Sequence, residues 1–411
     1  MAKFVSEEDL LRVLGKFGDK SPRIVFSGNF ASPSYLLDLV DRSLENFKLF
    51  TLNAQKVFPI RDGVSWETPF VGPGFRDPKG NLSYVPMRLS LVPRLLRSTH
   101  IPDIVLLNVS RVIGGKVSLG IEVNLMVAAI EEARRVGAIV VAQVNNHMPY
   151  TYGDGEIDLD RIDYCIFRDE MLASPIEGAL DEVALTIGSN VASLVGHGST
   201  LQLGIGAIPN ASLAALKGHR YLRVWSEMFS DGVFELEKVG ALDHGVPIVA
   251  SFIFGSEELY NWVDLNPRIH MRRTEVTNDP SLIARNPQMT SINTAIQIDL
   301  YAQANASFVR GNIYSGFGGQ TDFIVGALHS RDGNAIIALP SWHTKSGSST
   351  VVDRIQAPVT SFQHSALITE WGVASIFGKS QSEQAVEIIE HIAHPNARDV
   401  LRKAASAMKL H

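Results

Sequence analysis

Short apolar runs recur along the chain, each followed by a turn rich in glycine, asparagine or proline and then by a stretch whose apolar positions return at helical spacing. The runs predict strands at Arg23–Ser27, Phe47–Thr51, Asp103–Val109, Ala138–Val144, Thr200–Leu203, Tyr221–Trp225, Ile248–Phe254, Ser291–Leu300, Ile336–Leu339 and Val359–Phe362. Helices are predicted from Ser6, with Asp9 at capping distance, over Tyr35–Val40, around Leu91–Arg97, over Met126–Arg135, Pro175–Leu194, from Ser212, over Ser382–His394 and Asn396–Lys409. Asp103–Val109 is apolar throughout, as a strand covered on both faces would be. Strand alternating with helix defines an α/β fold with mainly parallel sheets. Asp62–Asn81 reads as a long loop, and Asn266–Gln288 as a polar, basic surface run that could also hold a nucleotide phosphate.

Two turns are alike. Gly28 to Pro33 and Gly204 to Pro209 both set glycine at a strand end and proline five residues later, ahead of an apolar helix. A chain of 411 residues exceeds one ordinary core, so two tandem open α/β domains are expected. The boundary is placed where Gly196 to Ser199 follow the amphipathic helix, giving domains 1–195 and 196–411.

Composition narrows the partners. The chain is 45% hydrophobic and 19% charged with a formal charge of −6, which argues against nucleic acid or an anionic membrane surface. The first residues are too charged for a signal peptide, and no apolar run reaches the ~20 residues that cross a bilayer. Cys165 is the one cysteine, so no internal disulfide forms, and a cytoplasmic setting is expected. Its neighbours Tyr164 and Ile166 suggest a buried structural thiol.

The chemistry concentrates in LQLGIGAIPNASLAALKGHRYLRVWSEMFSDG, residues 201–232. A strand ends at Gly204 and Gly206, a helix begins near Pro209, and Ser226, Glu227 and Met228 follow the next strand. A glycine loop opening a helix presents free N–H groups to a phosphate or a developing oxyanion. Three readings stand side by side. Gly204 and Gly206 with an acid about twenty positions on imitate a nicotinamide dinucleotide fingerprint, although Pro209 stands where that pattern has a third glycine. Alternatively, Glu227 is a nucleophile or base beside an anion site, or the segment is only a tight turn with a solvated carboxylate.

Elsewhere, Asn145, Asn146, His147, Met148 and Pro149 end a predicted strand, and Gly316, Gly318 and Gly319 permit close backbone approach. Asn293 and Gln297 fall on one face of the Ser291–Leu300 alternation. HExxH, CxxC and GxSxG are absent, so neither a metal nor a hydrolase triad is expected. Gly378, Lys379 and Ser380 lack the upstream glycine of a phosphate loop and read as a surface turn. One carboxylate among glycine loops suits acyl chemistry on a thioester.

LQLGIGAIPNA, VWSEMFSDG, INTAIQIDL, YSGFGGQTDF, TEWGVA and IAHP, with YVPMRLS and QVNNHMPYTYGD earlier, resemble the acetyl-CoA hydrolase/transferase family, and within it the 4-hydroxybutyrate coenzyme A transferase branch of the class I CoA-transferases. The resemblance implies two tandem domains of that type. It makes Glu227 of the SEM motif the nucleophile, carrying first the acyl group and then CoA as a glutamyl thioester. It assigns the CoA loop to Gly204, Ile205, Gly206, Ala207 and Ile208, with further contacts at Asn293 and Gly316. Coenzyme A enters as a substrate beside a small carboxylic acid, no separate cofactor is expected, and a homodimer or homotetramer is implied. An acyl-CoA hydrolase and a CoA-binding protein without turnover are the alternatives. Gln297 departs from the glutamate common in relatives, and Trp371 from their tyrosine, a change expected to conserve packing.

Overall fold

The computed structural model describes residues 2–56, 58–76, 81–175, 178–361 and 363–410. The chain forms two compact units. Met1–Pro175, Pro247–Thr277 and Gly316–Gly318 make the first, and Ile176–Val246, Asn278–Ser315 and Gly319–His411 the second. No single cut separates them, because the chain returns twice to the first unit after entering the second.

The first unit is built on an eight-stranded sheet in the order Lys3–Phe4, Tyr164–Phe167, Ile139–Val144, Ile104–Val109, Arg23–Phe26, Phe47–Phe50, Val64–Thr68 and Asn81–Tyr84. Every neighbouring pair runs parallel. Ile104–Val109 is buried at all its residues, as its unbroken apolar run requires. Cys165 is fully buried in the adjoining strand, and loss of solvation pushes its thiol up to about 12, so it stays protonated and inert. Val64–Thr68 is a strand inside the expected Asp62–Asn81 loop. Its sequence VSWET buries alternate residues, a half-buried pattern that the surrounding turn residues conceal. Residues 77–80 of that loop lie outside the described residues.

In the second unit Thr200–Leu203, Met289–Thr294, Asn334–Ala338 and Ala366–Thr369 run parallel in that order, and Gly372–Ser375 closes the edge as an antiparallel hairpin. On the other side of Thr200–Leu203 lie Arg223–Val224, parallel, and Met228, antiparallel. The core gathers Ile283, Phe323, Ile337, Leu367, Ile388 and Ile392.

The helix expected from Pro175 runs over Glu182–Ala192 and belongs to this second unit. Asp181 fixes its start by accepting the Ala184 N–H at 2.7 Å, while Ile176 lies outside the described residues. The helix meets Ala207–Ala215 closely, since a Cβ added at Gly188 would lie 2.5 Å from the Ala211 carbonyl carbon. Residues 359–361 are irregular rather than a strand, and Phe362 lies outside the described residues. Among the described residues no helix is long and apolar enough to cross a membrane.

Candidate active site

The carboxyl edge of the second unit's sheet carries the 201–232 segment. Thr200–Leu203 ends at Gly204, and the helix Ala207–Ala215 begins at once, with Gly206 as its N-cap at φ 122° and ψ 179°. That backbone demands glycine. Gly206 brings no side chain to cap the first-turn N–H groups, and Ile205, Gly206 and Ala207 are exposed. Open space surrounds the positions a Cβ would take at Gly204 and Gly206.

Glu227 is carried back to this loop by three registered contacts. The Trp225 N–H donates to the Leu201 carbonyl at 3.1 Å. The buried Ser226 hydroxyl donates to the Leu203 carbonyl at 3.1 Å and accepts the Leu203 N–H at 3.3 Å. Met228 then pairs with Leu203 across an antiparallel bridge. This pairing sets the backbone of residue 227 beside the end of the strand that leads into the glycine loop.

Two further groups close on it. Asn278, fully buried, donates from Nδ2 to Glu227 Oε2 at 3.3 Å. Gly319 is the N-cap of the helix Gln320–His329, and a Cβ there would fall 2.0 Å from Oε2 and 2.4 Å from Asn278 Nδ2. Oε2 thus rests against bare backbone at the positive end of a ten-residue helix.

Residue 227 keeps partial exposure, yet its carboxyl is desolvated, and the pKa rises from 4.5 to about 7. Burial is the largest cause. The Asn278 hydrogen bond opposes it, and the negative charge of Asp322, buried in the first turn of Gln320–His329, adds to it. Even in a partly buried setting a helix end favours an anion by at most ~2 kcal/mol, so desolvation prevails. A Gly319→Ala substitution is expected to force the carboxylate from its seat and lower turnover roughly 100-fold, with Gly204→Ala as the mild comparison, measured by steady-state kinetics.

The other predicted residues divide. Asn293 lies near the end of Met289–Thr294, and its Nδ2 donates to Gln202 Oε1 at 3.1 Å, which puts it beside the strand that ends at Gly204. Gln297 does not share that strand. It lies in Gln297–Asp299, part of a separate small sheet, where its Oε1 accepts from Asn305 at 3.4 Å. The backbone leaves the main sheet at Ala295 and Ile296, and burial along the stretch does not alternate as the sequence pattern does.

Gly316 belongs to the first unit, where a Cβ would approach the Pro69 carbonyl oxygen to 2.8 Å. Its smallness is thus required by packing on backbone. Asn145 ties the turn to Glu170 through its side chain, Asn146 pairs with Asp169, and His147 is exposed. Within the basic run, Arg272 is engaged by Asp154 and Arg273 by Glu131 and Glu275, which removes both as phosphate holders. Trp371 is 48% exposed, with its Nε1–H donated to Ser341 Oγ at 3.0 Å and its ring edge-on to His394.

Two α/β units on large, mainly parallel sheets, the second holding a desolvated carboxyl against a glycine-capped helix end, define the class of an α/β enzyme. The chain belongs to the acetyl-CoA hydrolase/transferase family: the N-terminal domain of that family matches residues 22–177 and its C-terminal domain residues 255–405. The chain is similar to a succinyl-CoA:acetate/propanoyl-CoA:succinate CoA transferase of Fasciola hepatica, 35% identical over 93% of this chain and 84% of the relative. A 4-hydroxybutyrate coenzyme A transferase of Clostridium kluyveri is 38% identical over 81% of this chain and 80% of its own. The crystal structure of a 4-hydroxybutyrate CoA-transferase from Porphyromonas gingivalis superposes with a TM-score of 0.81 at 30% identity, covering 99% of this chain and 98% of that one.

Proposed function

We propose that this enzyme moves coenzyme A between an acyl-CoA and a small carboxylic acid through a glutamyl-CoA thioester on Glu227. The observation that carries the reading is the Glu227 carboxyl itself, desolvated, tethered by Asn278 and seated against Gly319, next to the Met228 that pairs with Leu203 ahead of the 204–208 loop.

A carboxylate oxygen of Glu227 attacks the acyl carbonyl carbon. The C–S bond breaks, CoA leaves as thiolate, and a mixed anhydride of Glu227 and the acyl group remains. The thiolate then attacks the glutamyl carbonyl carbon, releasing the donor acid as its carboxylate and leaving CoA on Glu227. The acceptor carboxylate attacks this thioester and expels the thiolate, which attacks the acyl carbonyl of the new anhydride and restores Glu227. Each step exchanges one acyl bond for another, so no proton or redox partner is consumed.

Desolvation makes the nucleophile basic, and the N–H groups at Gly206 to Ile208, uncapped by a side chain, are suited to CoA or to a carbonyl oxygen gaining charge. Asn293 and Gly316 complete the proposed CoA contacts. A cytoplasmic setting and a homodimer or homotetramer belong to the same reading.

Enzyme mixed with acyl-CoA and no acceptor acid is expected to gain the mass of one CoA less one water, and to lose it when a carboxylate is added. Absence of the adduct, with CoA released at full rate whether or not an acid is present, would make the enzyme an acyl-CoA hydrolase instead.

A further inference from the structure

The carboxyl edge of the second unit's sheet carries aromatic side chains that the proposed chemistry does not use. Asn334–Ala338 and Ala366–Thr369 are neighbouring parallel strands, with Ala338 opposite Ile368, and Ser341, Trp342, Glu370 and Trp371 follow on their carboxyl ends. Ligands of open parallel sheets bind outside that edge. Trp371 is 48% exposed, yet its backbone and its ring are both tied down. The backbone N–H donates to the buried Thr369 hydroxyl at 3.1 Å. The ring Nε1–H donates to the buried Ser341 hydroxyl at 3.0 Å, and that hydroxyl donates in turn to Glu370 Oε1, while the Ser341 N–H donates to Glu370 Oε2 at 2.9 Å. This chain fixes the plane of the indole. Beside it stands the His394 ring, whose Nδ1 accepts the Asn396 N–H at 3.2 Å. Its centroid lies 5.6 Å from that of Trp371, edge-on, and 4.6 Å from that of Trp342. Fixing a ring that stays half in water contributes little to folding, whereas a ring already held in one orientation loses little freedom when a flat ligand stacks on it.

We infer that Trp371, with Trp342 and His394 beside it, is the platform on which the adenine ring of coenzyme A stacks. The inference rests on the reading of the chain as a CoA transferase and adds to it the seat of the substrate's nucleotide end. Adenine is the one aromatic group of CoA, and a purine face stacks on an indole. The reach agrees. Ala366–Thr369 lies three strand positions from Thr200–Leu203, about 14 Å at ~4.8 Å per strand, a span along one edge that the pantetheine arm and diphosphate of a single CoA bridge. Asn293, already placed among the CoA contacts, lies near the end of a strand between the two.

The experiment compares two donors in wild type, Trp371→Ala and Trp371→Phe: an acyl-CoA, and the same acyl group on pantetheine, which keeps the thioester arm and lacks the nucleotide. Trp371→Ala is expected to lower kcat/KM for acyl-CoA about 10- to 100-fold, mainly through KM, and to lower the ratio of that value to kcat/KM for acyl-pantetheine by a similar factor. Trp371→Phe keeps an aromatic face without the tether to Ser341, and its ratio is expected to fall between the other two. Adenosine 3′,5′-bisphosphate, the nucleotide end of CoA alone, gives a readout without turnover. It is expected to quench tryptophan fluorescence in wild type and to bind Trp371→Ala about tenfold more weakly by calorimetry.

Equal losses on acyl-CoA and acyl-pantetheine in Trp371→Ala overturn the inference, since loss of packing alone has that result. Equal affinity of wild type and Trp371→Ala for the bisphosphate overturns it as well. Should Trp371→Ala fail to fold, Trp342→Ala replaces it in both measurements, with the same outcomes. If wild type moves no CoA to a carboxylate while the bisphosphate binds in a manner that depends on Trp371, the functional reading fails and the platform stands. If wild type transfers CoA and the donor ratio holds in Trp371→Ala, only the platform falls.

Discussion

At pH 8 the Glu227→Gln chain is expected to be inactive, slower by about 10⁴-fold or more, and yet more stable than wild type by about 2–3 kcal/mol. Both effects come from the same burial. The carboxyl titrates near 7 when folded and near 4.5 when unfolded, so between these values the folded state holds more protons. Stability is then full below pH 4.5 and is lost as pH rises through 7. Above 7 the folded chain carries a desolvated anion that, among the described residues, Asn278 and the helix end relieve. Glutamine keeps the shape and can accept from Asn278, but it never ionises. Denaturant titration at pH 8 and at pH 4.5 checks this, because the advantage of Glu227→Gln should vanish at the lower pH. Equal stability at pH 8 would mean that the carboxyl is not held out of solvent. A catalytic group that costs stability in the state in which it works is the usual exchange between stability and activity.

The parts of this site that the sequence reveals are those whose cause is local. Gly204, Gly206 and Pro209 punctuate a strand and a helix wherever they fall, and Glu227 is set by the strand before it. The helix at Glu182 starts where Asp181 can cap it, several residues later than its apolar spacing alone suggests.

What was hidden depends on distance along the chain. Asn278 reaches Glu227 across 51 positions from within a polar, basic run, and nothing local marks it. Asp322 left a faint signal, an acid between Gly319 and the buried Phe323, in a helix that otherwise turns apolar residues inward. Gly319 was legible as a point of close approach, but its neighbour proves to be the Glu227 carboxyl itself. Side-chain alternation failed at Ser291–Leu300 because a period of two records which way residues face and not which sheet they join.

His364 is expected to make the second unit acid-labile, with about 3 kcal/mol of stability lost between pH 6.5 and pH 4. The imidazole is buried just ahead of the Ala366–Thr369 strand, and loss of solvation lowers its pKa from 6.5 to about 4. The unfolded chain binds the proton first, so this contribution is full above pH 6.5 and drains away as the pH falls toward 4. Glu227 acts with the opposite sign across the overlapping range, gaining stability on acidification from 7 to 4.5. In wild type the two slopes offset each other, which would disguise both as indifference to pH. The measurement therefore belongs in the Glu227→Gln background, where the opposing slope is gone. Adding His364→Gln there should shrink the difference in unfolding free energy between pH 7 and pH 4 by about 3 kcal/mol. Any constant packing penalty of the substitution drops out of that difference. Parallel stability curves with and without His364 would show that the ring meets solvent, and would remove it as the origin of the acid limb.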